Sequence, residues 1–345
     1  MASANSLKKL FKSYKQLDDD GFYVAAIEII NEEKQKNHNV LAQHLQQILD
    51  SETVNSKAVS SVHSYELQKM PKDPEKGTLL FDIRTPDRYL DEVILSDRLR
   101  SQLDDVIKEY HSSEILRTHG LKPRRKLLFA GPPGCGKTIS AEVVASELGL
   151  PLLYTRFDAV ISSYLGETAA NLRKVFDFAQ KGTWVVFFDE FDAIGKSRDD
   201  LTEHGELKRV VNTFLQLLDS FNSDSIFIAA TNHESSLDNA LWRRFDDILY
   251  FDKPPLQQIK KLIELKLKNF PHKNLSISKL SPLMVGWSHA DIEHVCIEAI
   301  KQTVLNGQDY LDDVIFKKSV VNQSYRFKFI ESKTKKVSKR DRKNA

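Results

Sequence analysis

Residues 131–138 read Gly-Pro-Pro-Gly-Cys-Gly-Lys-Thr and match the phosphate-binding pattern G-x-x-x-x-G-K-T. They lie between the apolar run 127–130 and the periodic stretch 138–148, which predicts a loop that joins a buried strand to a helix. In such a loop the glycines let the backbone amides turn toward a polyphosphate at a helix N-terminus, where the helix dipole favours an anion. The residues that we assign to the nucleotide are Pro133, Gly134, Cys135, Gly136, Lys137, Thr138 and Ile139.

Two of these side chains have a specific role in the pattern. Lys137 is placed to reach the β- and γ-phosphates, and the Thr138 hydroxyl is placed to bind Mg²⁺. A glycine-rich turn ahead of an ordinary helix would require neither residue. The sequence therefore predicts that the chain binds ATP with Mg²⁺.

An acidic pair follows a second apolar run. Residues 185–188 are apolar, and Asp189 and Glu190 come directly after them. Asp189 could hold Mg²⁺ through its water shell, while Glu190 could polarise the attacking water, a role that is typically worth ~10²–10⁴ in rate. Such a strand end is common by itself, but after a complete phosphate loop it indicates hydrolysis as well as binding. Asp192 either supports this site or caps the next helix.

A third buried run, residues 226–231, ends in Asn232. In isolation this asparagine would be interpreted as a turn residue. Because it follows the phosphate loop and the acidic strand in order, we assign it to the catalytic group. Its amide could position the water and report whether the γ-phosphate is present.

Short apolar runs alternate with helical stretches from residue 79 onward. The runs are 127–130, 151–157, 184–189, 225–231 and 248–251. Residues 185–188 show no polar alternation, which is typical of strands covered on both faces, and the alternation of strands with helices implies a parallel sheet covered by helices. The expected fold is α/β: a P-loop NTPase parallel sheet with helices on both faces, followed by a small helical lid and preceded by an extra helical module.

The same patterns predict the domain boundaries. Residues 1–50 have helical apolar spacing with breaks at 18–21 and 37–39, which indicates three short helices in a module for a substrate or an adaptor. Residues 51–78 are expected to form a linker. We assign 79–253 to the large α/β subdomain, 254–325 to the small helical subdomain and 326–345 to a basic, disordered tail.

Composition restricts the partners and the compartment. No stretch approaches the roughly 18 uninterrupted apolar residues of a membrane span, and the first residues do not lead into a hydrophobic signal segment. The two cysteines indicate no disulfide framework, so we expect a cytoplasmic protein. The formal charge is +2, but residues 331–345 carry seven basic and two acidic side chains. The remaining chain is slightly acidic, which argues against a nucleic-acid-binding face.

These motifs, in this order, resemble the AAA family of ring-forming ATPases across roughly residues 85–305. Residues 237–246 look like the second region of homology of that family, and the tandem Arg243-Arg244 is similar to the arrangement in katanin- and spastin-like members. The resemblance implies that both are arginine fingers that reach the γ-phosphate of a neighbouring subunit. It also implies that the chain acts as a homo-oligomeric ring, expected to be a hexamer.

The resemblance assigns further segments. Tyr164 and Leu165 look like the aromatic-aliphatic pair of the first pore loop, which grips an extended polypeptide, and residues 198–206 correspond to a second pore loop. Ser220 stands where many relatives have Gly in the intersubunit segment. Residues 91–95 correspond to an adenine wall.

Residues 286–292 resemble the motif of the small domain that packs on adenine and ribose, and from this motif Ala290 is assigned to the nucleotide. His289 replaces the usual Gly of the motif, and we expect an exposed, inert histidine there.

Three functions follow from this interpretation. The leading hypothesis is remodelling or unfolding of protein substrates threaded through a central pore. The layout also looks like that of small bacterial AAA proteins paired with subtilisin-like proteases, so a protease is a candidate partner. The alternatives are a scaffold that assembles with ATP and recruits a partner through its N-terminal helices, and a nucleic-acid-dependent ATPase that uses the basic tail.

Overall fold

The computed structural model describes residues 9, 12–13, 19–35, 70–73, 77–156, 160, 165–194, 204–233, 239–273 and 275–341. The chain separates into two compact units, residues 1–70 and 71–345. In the first unit, helix α1 (Asp19–Gln35) buries Ala25 and Ile30. It corresponds to the second of the three predicted N-terminal helices. The third, and most of the first, lie outside the described residues.

The second unit combines a sheet with flanking helices and a helical C-terminal part. Its strands are β1 (Asp82–Arg84), β2 (Lys126–Ala130), β3 (Leu152–Arg156), β4 (Val185–Asp189), β5 (Ile226–Thr231) and β6 (Asp247–Tyr250). Its helices are α2 (Asp97–His111), α3 (Ser113–Thr118), α4 (Lys137–Glu147), α5 (Leu165–Ala179), α6 (His204–Ser220), α7 (Asn239–Trp242), α8 (Leu256–Leu267), α9 (Ile277–Leu280), α10 (His289–Leu305) and α11 (Asp313–Asp341). Short 3₁₀ turns cover Leu90–Glu92, Phe191–Ile194 and Ser281–Met284.

The sheet has the strand order β1-β3-β4-β5-β2-β6. Neighbours from β3 to β6 are parallel, as the apolar runs predict, and β2 occupies a central position beside β5. At the edge of the sheet, β1 pairs with β3 in the antiparallel direction, so the sheet that was predicted to be parallel is mostly parallel. Three residues without a long apolar run give too weak a pattern to reveal an edge strand.

Alternating side chains of the central strands enter two different hydrophobic layers. Phe187 and Ile228 belong to the cluster that also contains Val143 of α4 and Val106 of α2. The adjacent strand residues Phe188 and Phe227 point to the opposite face of the sheet. There their rings pack with those of Phe176 from α5 and Phe214 from α6, with centroids 5.2–5.9 Å apart. Burial on both faces explains why these strands lack polar alternation.

A separate hydrophobic cluster holds helices α8, α9, α10 and α11 together. Ile259, Leu280, Ile292 and Phe316 contribute from the four helices. Helix α10 begins at a capping box in which Ser288 and Asp291 bond each other's backbone amides, so its first turn is fixed. The cluster of the sheet extends along the chain to Phe251, and the helical cluster begins at Ile259.

Two predicted boundaries differ from the structure. The linker was expected to reach residue 78, but Asp73 is 1% exposed and accepts a hydrogen bond from Asn171 Nδ2 at 3.0 Å. The second unit therefore starts at residue 71. The tail was expected to be disordered from residue 326, but α11 continues to Asp341, and Phe327 packs on Trp287 with ring centroids 5.1 Å apart.

Among the helices that the structure describes, none has the length and the apolar character that a membrane span requires.

Candidate functional site

Three neighbouring strands end at the same edge of the sheet and bring the predicted motifs together. β2 leads into the loop 131–136, β4 ends at Asp189, and β5 is followed by Asn232. In an open parallel sheet, ligands bind outside the carboxyl ends of the strands. The loop also packs closely on the rest of the protein, because Gly131 has φ 139° and a Cβ there would lie 2.1 Å from the carbonyl oxygen of Phe251.

The Lys137 side chain links the phosphate loop to β5. Its ammonium donates to the carbonyls of Gly131 at 2.6 Å and Pro132 at 3.0 Å, and to Asn232 Oδ1 at 2.7 Å. The lysine is 6% exposed, so its charge depends on these oxygens in place of water. The structure therefore joins two residues that stand 95 positions apart in the chain and that the sequence assigned to one site.

Thr138 and Asp189 form the second junction of the site. The Thr138 hydroxyl donates to Asp189 Oδ2 at 3.2 Å, and Asp189 Oδ1 accepts the backbone amide of Glu190 at 2.9 Å. A hydroxyl and a carboxylate are hard oxygen ligands of the kind Mg²⁺ prefers, and Mg²⁺ commonly uses only one or two protein ligands beside substrate phosphates. The two residues therefore fit the ion that the sequence predicts.

Glu190 has an unusual backbone. Its φ is 55°, and it is the one non-glycine residue with positive φ among those that the structure describes. This left-handed conformation costs a non-glycine residue roughly 1–2 kcal/mol. The side chain is exposed at the end of β4, where it is accessible to solvent beside the carboxylate of Asp189.

Asp192 and Tyr154 complete the surroundings of these groups. Asp192 is 2% exposed, and its Oδ1 accepts the backbone amide of Asn232 at 3.4 Å, which favours support of the site over capping of a helix. The Tyr154 hydroxyl donates to Asp189 Oδ2 at 3.0 Å, and the Arg84 guanidinium lies 3.6 Å from the centre of the Tyr154 ring. Sequence reasoning missed Tyr154, because it lies in β3 with no polar motif around it.

A cavity of about 320 Å³ lies beside the phosphate loop. Its apolar walls come from Ile139 at the start of α4, from residues 93–95 and from Leu262 and Leu265 of α8. Such a cavity, mostly apolar with a few polar groups, is typical of ligand sites. The segment that was predicted to form an adenine wall therefore lines this cavity.

His289 also lines the cavity, and the expectation that it is exposed was wrong. Both of its ring nitrogens are buried, and neither has a hydrogen-bond partner among the described residues. Burial lowers the pKa of His289 from 6.5 to about 4, so the imidazole is neutral at physiological pH. The sequence could not reveal this burial, because the cavity is built by segments far apart in the chain. Burial also raises the pKa of the neighbouring Cys135 thiol.

The first turn of α10 contacts the phosphate loop directly. The Ala290 amide donates to the Gly134 carbonyl at 3.0 Å. Gly134 has φ 72°, and a Cβ there would lie 2.7 Å from Ser288 Oγ and 3.1 Å from Ala290 Cβ. The helical C-terminal part therefore meets the loop at a position where only glycine fits.

The structure describes both predicted arginine fingers but only part of the two predicted pore loops. Arg243 is exposed, and within the described part of the chain no hydrogen bond or ion pair joins it to another residue. Arg244 pairs with Asp219 at 2.9 Å. Leu165 is the first residue of α5, whereas Tyr164 and residues 198–203 of the second predicted loop lie outside the described residues.

A phosphate loop at the carboxyl edge of a mostly parallel sheet, with an acidic strand end beside it, defines a P-loop nucleotide-binding α/β protein. The model of the family named "ATPase family associated with various cellular activities (AAA)" matches residues 127–253. The uncharacterized AAA family ATPase y4kL of Sinorhizobium fredii is 40% identical over 326 residues, which cover 94% of this chain and 97% of that protein. A proteasome-activating nucleotidase of Saccharolobus solfataricus is 32% identical over 280 residues, 78% of this chain and 71% of that protein.

The chain therefore belongs to the AAA family and is an ATPase of that family. The predicted recognition, fold class and enzyme class are confirmed. The roles of the individual site residues stay predictions.

The neutral state of His289 generates a prediction about stability. The pKa of His289 is about 4 in the folded chain and near 6.5 when unfolded, so between these values only the unfolded chain takes up the proton. The contribution of His289 to the free energy of unfolding should therefore be constant above pH 6.5 and fall as the pH drops toward 4, by on the order of 2 kcal/mol at pH 5.

Chemical denaturation at pH 7.5, 6 and 5 measures this effect. His289→Gln should be less sensitive to acid than the wild type by that amount. The matched control is His294→Gln, which alters an exposed histidine of the same helix. If the wild type and His289→Gln lose stability in parallel as the pH falls, His289 is not buried as a neutral ring.

Proposed function

We propose that this AAA ATPase hydrolyses ATP with Mg²⁺ in a homo-oligomeric ring, a hexamer, and uses the energy to remodel or unfold protein substrates that pass through the central channel. The proposal of ATP hydrolysis depends on one observation: three strand ends meet, so that Lys137 contacts Asn232 and Thr138 contacts Asp189. The likeness to a protein named proteasome-activating nucleotidase supports an action on proteins.

Each residue of the junction has a role in the proposed reaction. Lys137 binds the terminal phosphates, and its ammonium must exchange one of its present oxygen partners to do so. Asn232 is one of those partners, which gives it a means of responding to the γ-phosphate. Glu190 orients and polarises the attacking water. Thr138 and Asp189 would hold Mg²⁺, which supplies positive charge at the phosphates.

The arginines support a ring. Arg243 is exposed, and Arg244 is held against Asp219 at the C-terminal end of α6. We propose that both complete the pocket of a neighbouring subunit, so that hydrolysis needs assembly. Arginine fingers of this kind contribute about 10³–10⁵ in rate.

The substrate of the proposed activity is an extended polypeptide. Tyr164 and Leu165 would grip it in the channel, and residues 1–50 would select the substrate or an adaptor. A protease that receives the product is a candidate partner. We propose no role for this chain in binding nucleic acid or in membrane insertion.

The first test measures unfolding of a folded fluorescent reporter that carries an unstructured tail. The wild type with ATP and Mg²⁺ should reduce the reporter's fluorescence, while Glu190→Gln should bind ATP, assemble and leave the reporter folded. Tyr164→Ala should retain ATP hydrolysis within about threefold and lose most of the unfolding, because the aromatic grip contributes only to force on the substrate. Unfolding by Tyr164→Ala at the wild-type rate would reject threading. If the chain assembles with ATP but no protein substrate changes its rate of ATP hydrolysis, the alternative of an ATP-assembled scaffold would be favoured.

The second test examines whether two copies share one pocket. The double variant Arg243→Ala/Arg244→Ala should lose at least about 10³ in ATP hydrolysis, as expected for arginine fingers. Mixed with Glu190→Gln protomers, which retain the arginines but not the base, it should recover part of the activity. Arg117→Ala is the control, since Arg117 is exposed and pairs with Asp224 within the same chain. Full activity of the double variant alone would contradict the shared pocket.

The third test concerns the Tyr154 hydroxyl, which bonds Asp189 and so should fix the carboxylate for Mg²⁺. Groups that orient a metal ligand typically contribute about 10–100-fold to metal affinity or activity. Tyr154→Phe should raise the Mg²⁺ concentration needed for half-maximal hydrolysis about tenfold, and should leave metal-free nucleotide binding unchanged. Tyr110→Phe, which alters a tyrosine packed on the core, is the control. An unchanged Mg²⁺ requirement in Tyr154→Phe would mean that its hydrogen bond does not orient Asp189.

A further inference from the structure

The edge strand β1 places an arginine on the face of a tyrosine of the candidate site. β1 pairs with β3 in the antiparallel direction, and Arg84 lies opposite Leu152. Residues two apart in a strand share a face of the sheet, and diagonal neighbours on paired strands are within reach of long side chains. The Arg84 guanidinium accordingly lies 3.6 Å from the centre of the Tyr154 ring. A strand that precedes every motif in the chain therefore contacts the site through this side chain.

The Tyr154 hydroxyl is one of three groups that orient the carboxylate of Asp189. It donates to Oδ2 at 3.0 Å, the Thr138 hydroxyl donates to the same oxygen at 3.2 Å, and Oδ1 accepts the Glu190 amide at 2.9 Å. Thr138 is itself a proposed ligand of Mg²⁺, whereas the tyrosine only orients the carboxylate. The direction of Asp189 toward the ion therefore depends on where the Tyr154 hydroxyl lies.

The position of this hydroxyl depends on the contacts of the tyrosine ring. Tyr154 lies opposite Phe187 of β4, with ring centroids 5.7 Å apart and planes tilted by 37°. The hydroxyl is at the far end of the ring, so a small rotation at the Cα–Cβ bond would move it out of hydrogen-bonding range. The planar guanidinium of Arg84 covers the ring face and opposes that rotation.

The ion pairs of Arg84 are weaker candidates for its role than the ring contact. The guanidinium lies 3.7 Å from Glu142 and 3.9 Å from Asp82, close to the limit for an ion pair. The side chains of Arg84 and Asp82 are 40% and 65% exposed, and exposed ion pairs contribute little. Glu142 is less exposed, and it draws the guanidinium toward α4, the helix that begins at the phosphate loop.

These contacts form a closed circuit around the proposed metal ligands. Glu142 follows Thr138 by four residues, which is about one turn of α4. From that helix the contacts run through Arg84 to Tyr154, then to Asp189 and back to Thr138. A movement of the tyrosine is therefore opposed from both sides of the circuit.

We propose that Arg84 is a positioning residue, whose guanidinium holds the Tyr154 ring so that the hydroxyl keeps its hydrogen bond with Asp189. This role rests on the proposed use of Asp189 for Mg²⁺, and it extends the site to the edge strand β1. Arg84 acts through the tyrosine and touches neither the ion nor the nucleotide.

Positioning and direct electrostatics predict opposite effects of removing Arg84. Like charges repel, so a guanidinium that acted on the ion only through its charge would weaken cation binding, and its removal would strengthen that binding. If Arg84 positions the tyrosine, its removal weakens cation binding instead. The sign of the change therefore distinguishes the two roles.

The test measures metal binding, and not turnover, on the full chain with ADP. Electron paramagnetic resonance reports free Mn²⁺ during a titration, and Mn²⁺ replaces Mg²⁺ because both prefer oxygen ligands. The variants are Arg84→Leu, Arg84→Lys, Tyr154→Phe and the double variant Arg84→Leu/Tyr154→Phe. Arg117→Leu is the control, since it removes an exposed arginine that pairs with Asp224. Calorimetry without metal measures the binding of ADP itself.

Arg84→Leu should bind Mn²⁺ about two- to fivefold more weakly than the wild type, the range expected for one cation–π contact at a partly exposed site. Arg84→Lys should recover part of the affinity, because an ammonium also binds a ring face. Tyr154→Phe should bind Mn²⁺ about tenfold more weakly. In that variant the further change Arg84→Leu should have no effect, since no hydroxyl remains to be positioned. Metal-free ADP binding should be the same in all of these proteins.

Two outcomes would overturn the inference. Arg84→Leu could bind Mn²⁺ as tightly as the wild type or more tightly, which would exclude positioning. Alternatively, it could weaken Mn²⁺ binding equally with and without the Tyr154 hydroxyl, which would mean that Arg84 does not act through the tyrosine. Failure of the proposed metal site has a different signature, because Asp189→Asn would then bind Mn²⁺ as tightly as the wild type does.

Discussion

The buried ammonium of Lys137 is the constraint on which the site depends. A charged group that is 6% exposed must be compensated by protein oxygens, and here the carbonyls of Gly131 and Pro132 and the amide oxygen of Asn232 surround it. Two of these oxygens belong to the phosphate loop, and the third follows the neighbouring strand. The loop can therefore hold its shape only if β2 and β5 are adjacent and end at the same level. The parallel pairing of Ala130 with Thr231 provides this alignment.

The fold and the grouping of the candidate site residues were predictable, because both depend on local sequence. The apolar runs 127–130 and 185–188 specify strands buried on both faces, and the parallel pairing alone places each polar residue that ends a run at one edge of the sheet. The order of the strands in the sheet did not need to be known. The order of the motifs along the chain was enough to assign Lys137, Asp189 and Asn232 to one site. The family resemblance then supplied the class of enzyme, which the comparisons confirm.

The features that were not predictable depend on contacts between distant segments. Tyr154 reaches Asp189 only because β3 pairs with β4 in one register, Tyr154 with Phe187 and Arg156 with Asp189. His289 of α10 lines one cavity with residues of α8 and with residues 92–95, which lie far from it in the chain. Likewise, residues 326–345 were predicted to be a disordered tail because of their charge, although Phe327 packs on Trp287 and α11 continues to Asp341. The composition of a short stretch of sequence does not show which distant residues will be in contact.

The contact between Gly134 and Ala290 explains why one nucleotide could influence both hydrophobic clusters. Cys135 of the loop belongs to the cluster of the sheet, and Ala290 lies in the first turn of α10, a helix whose later residues belong to the helical cluster. The Ala290 amide nevertheless donates to the Gly134 carbonyl. Any side chain larger than glycine would separate them, since its Cβ would lie 2.7 Å from Ser288 Oγ. A ligand that moves the loop would therefore also move the first turn of α10.

At Glu190 the candidate site lowers the stability of the folded chain. Its φ of 55° would suit glycine, and a glycine there would avoid roughly 1–2 kcal/mol of strain. A glycine would also turn the chain after β4 and leave Asp189 in place. What it could not supply is a second carboxylate next to the first, accessible to solvent at the edge where the triphosphate would lie. The strain is therefore best explained by the chemistry of the carboxylate, which supports the assignment of Glu190 as the group that activates water.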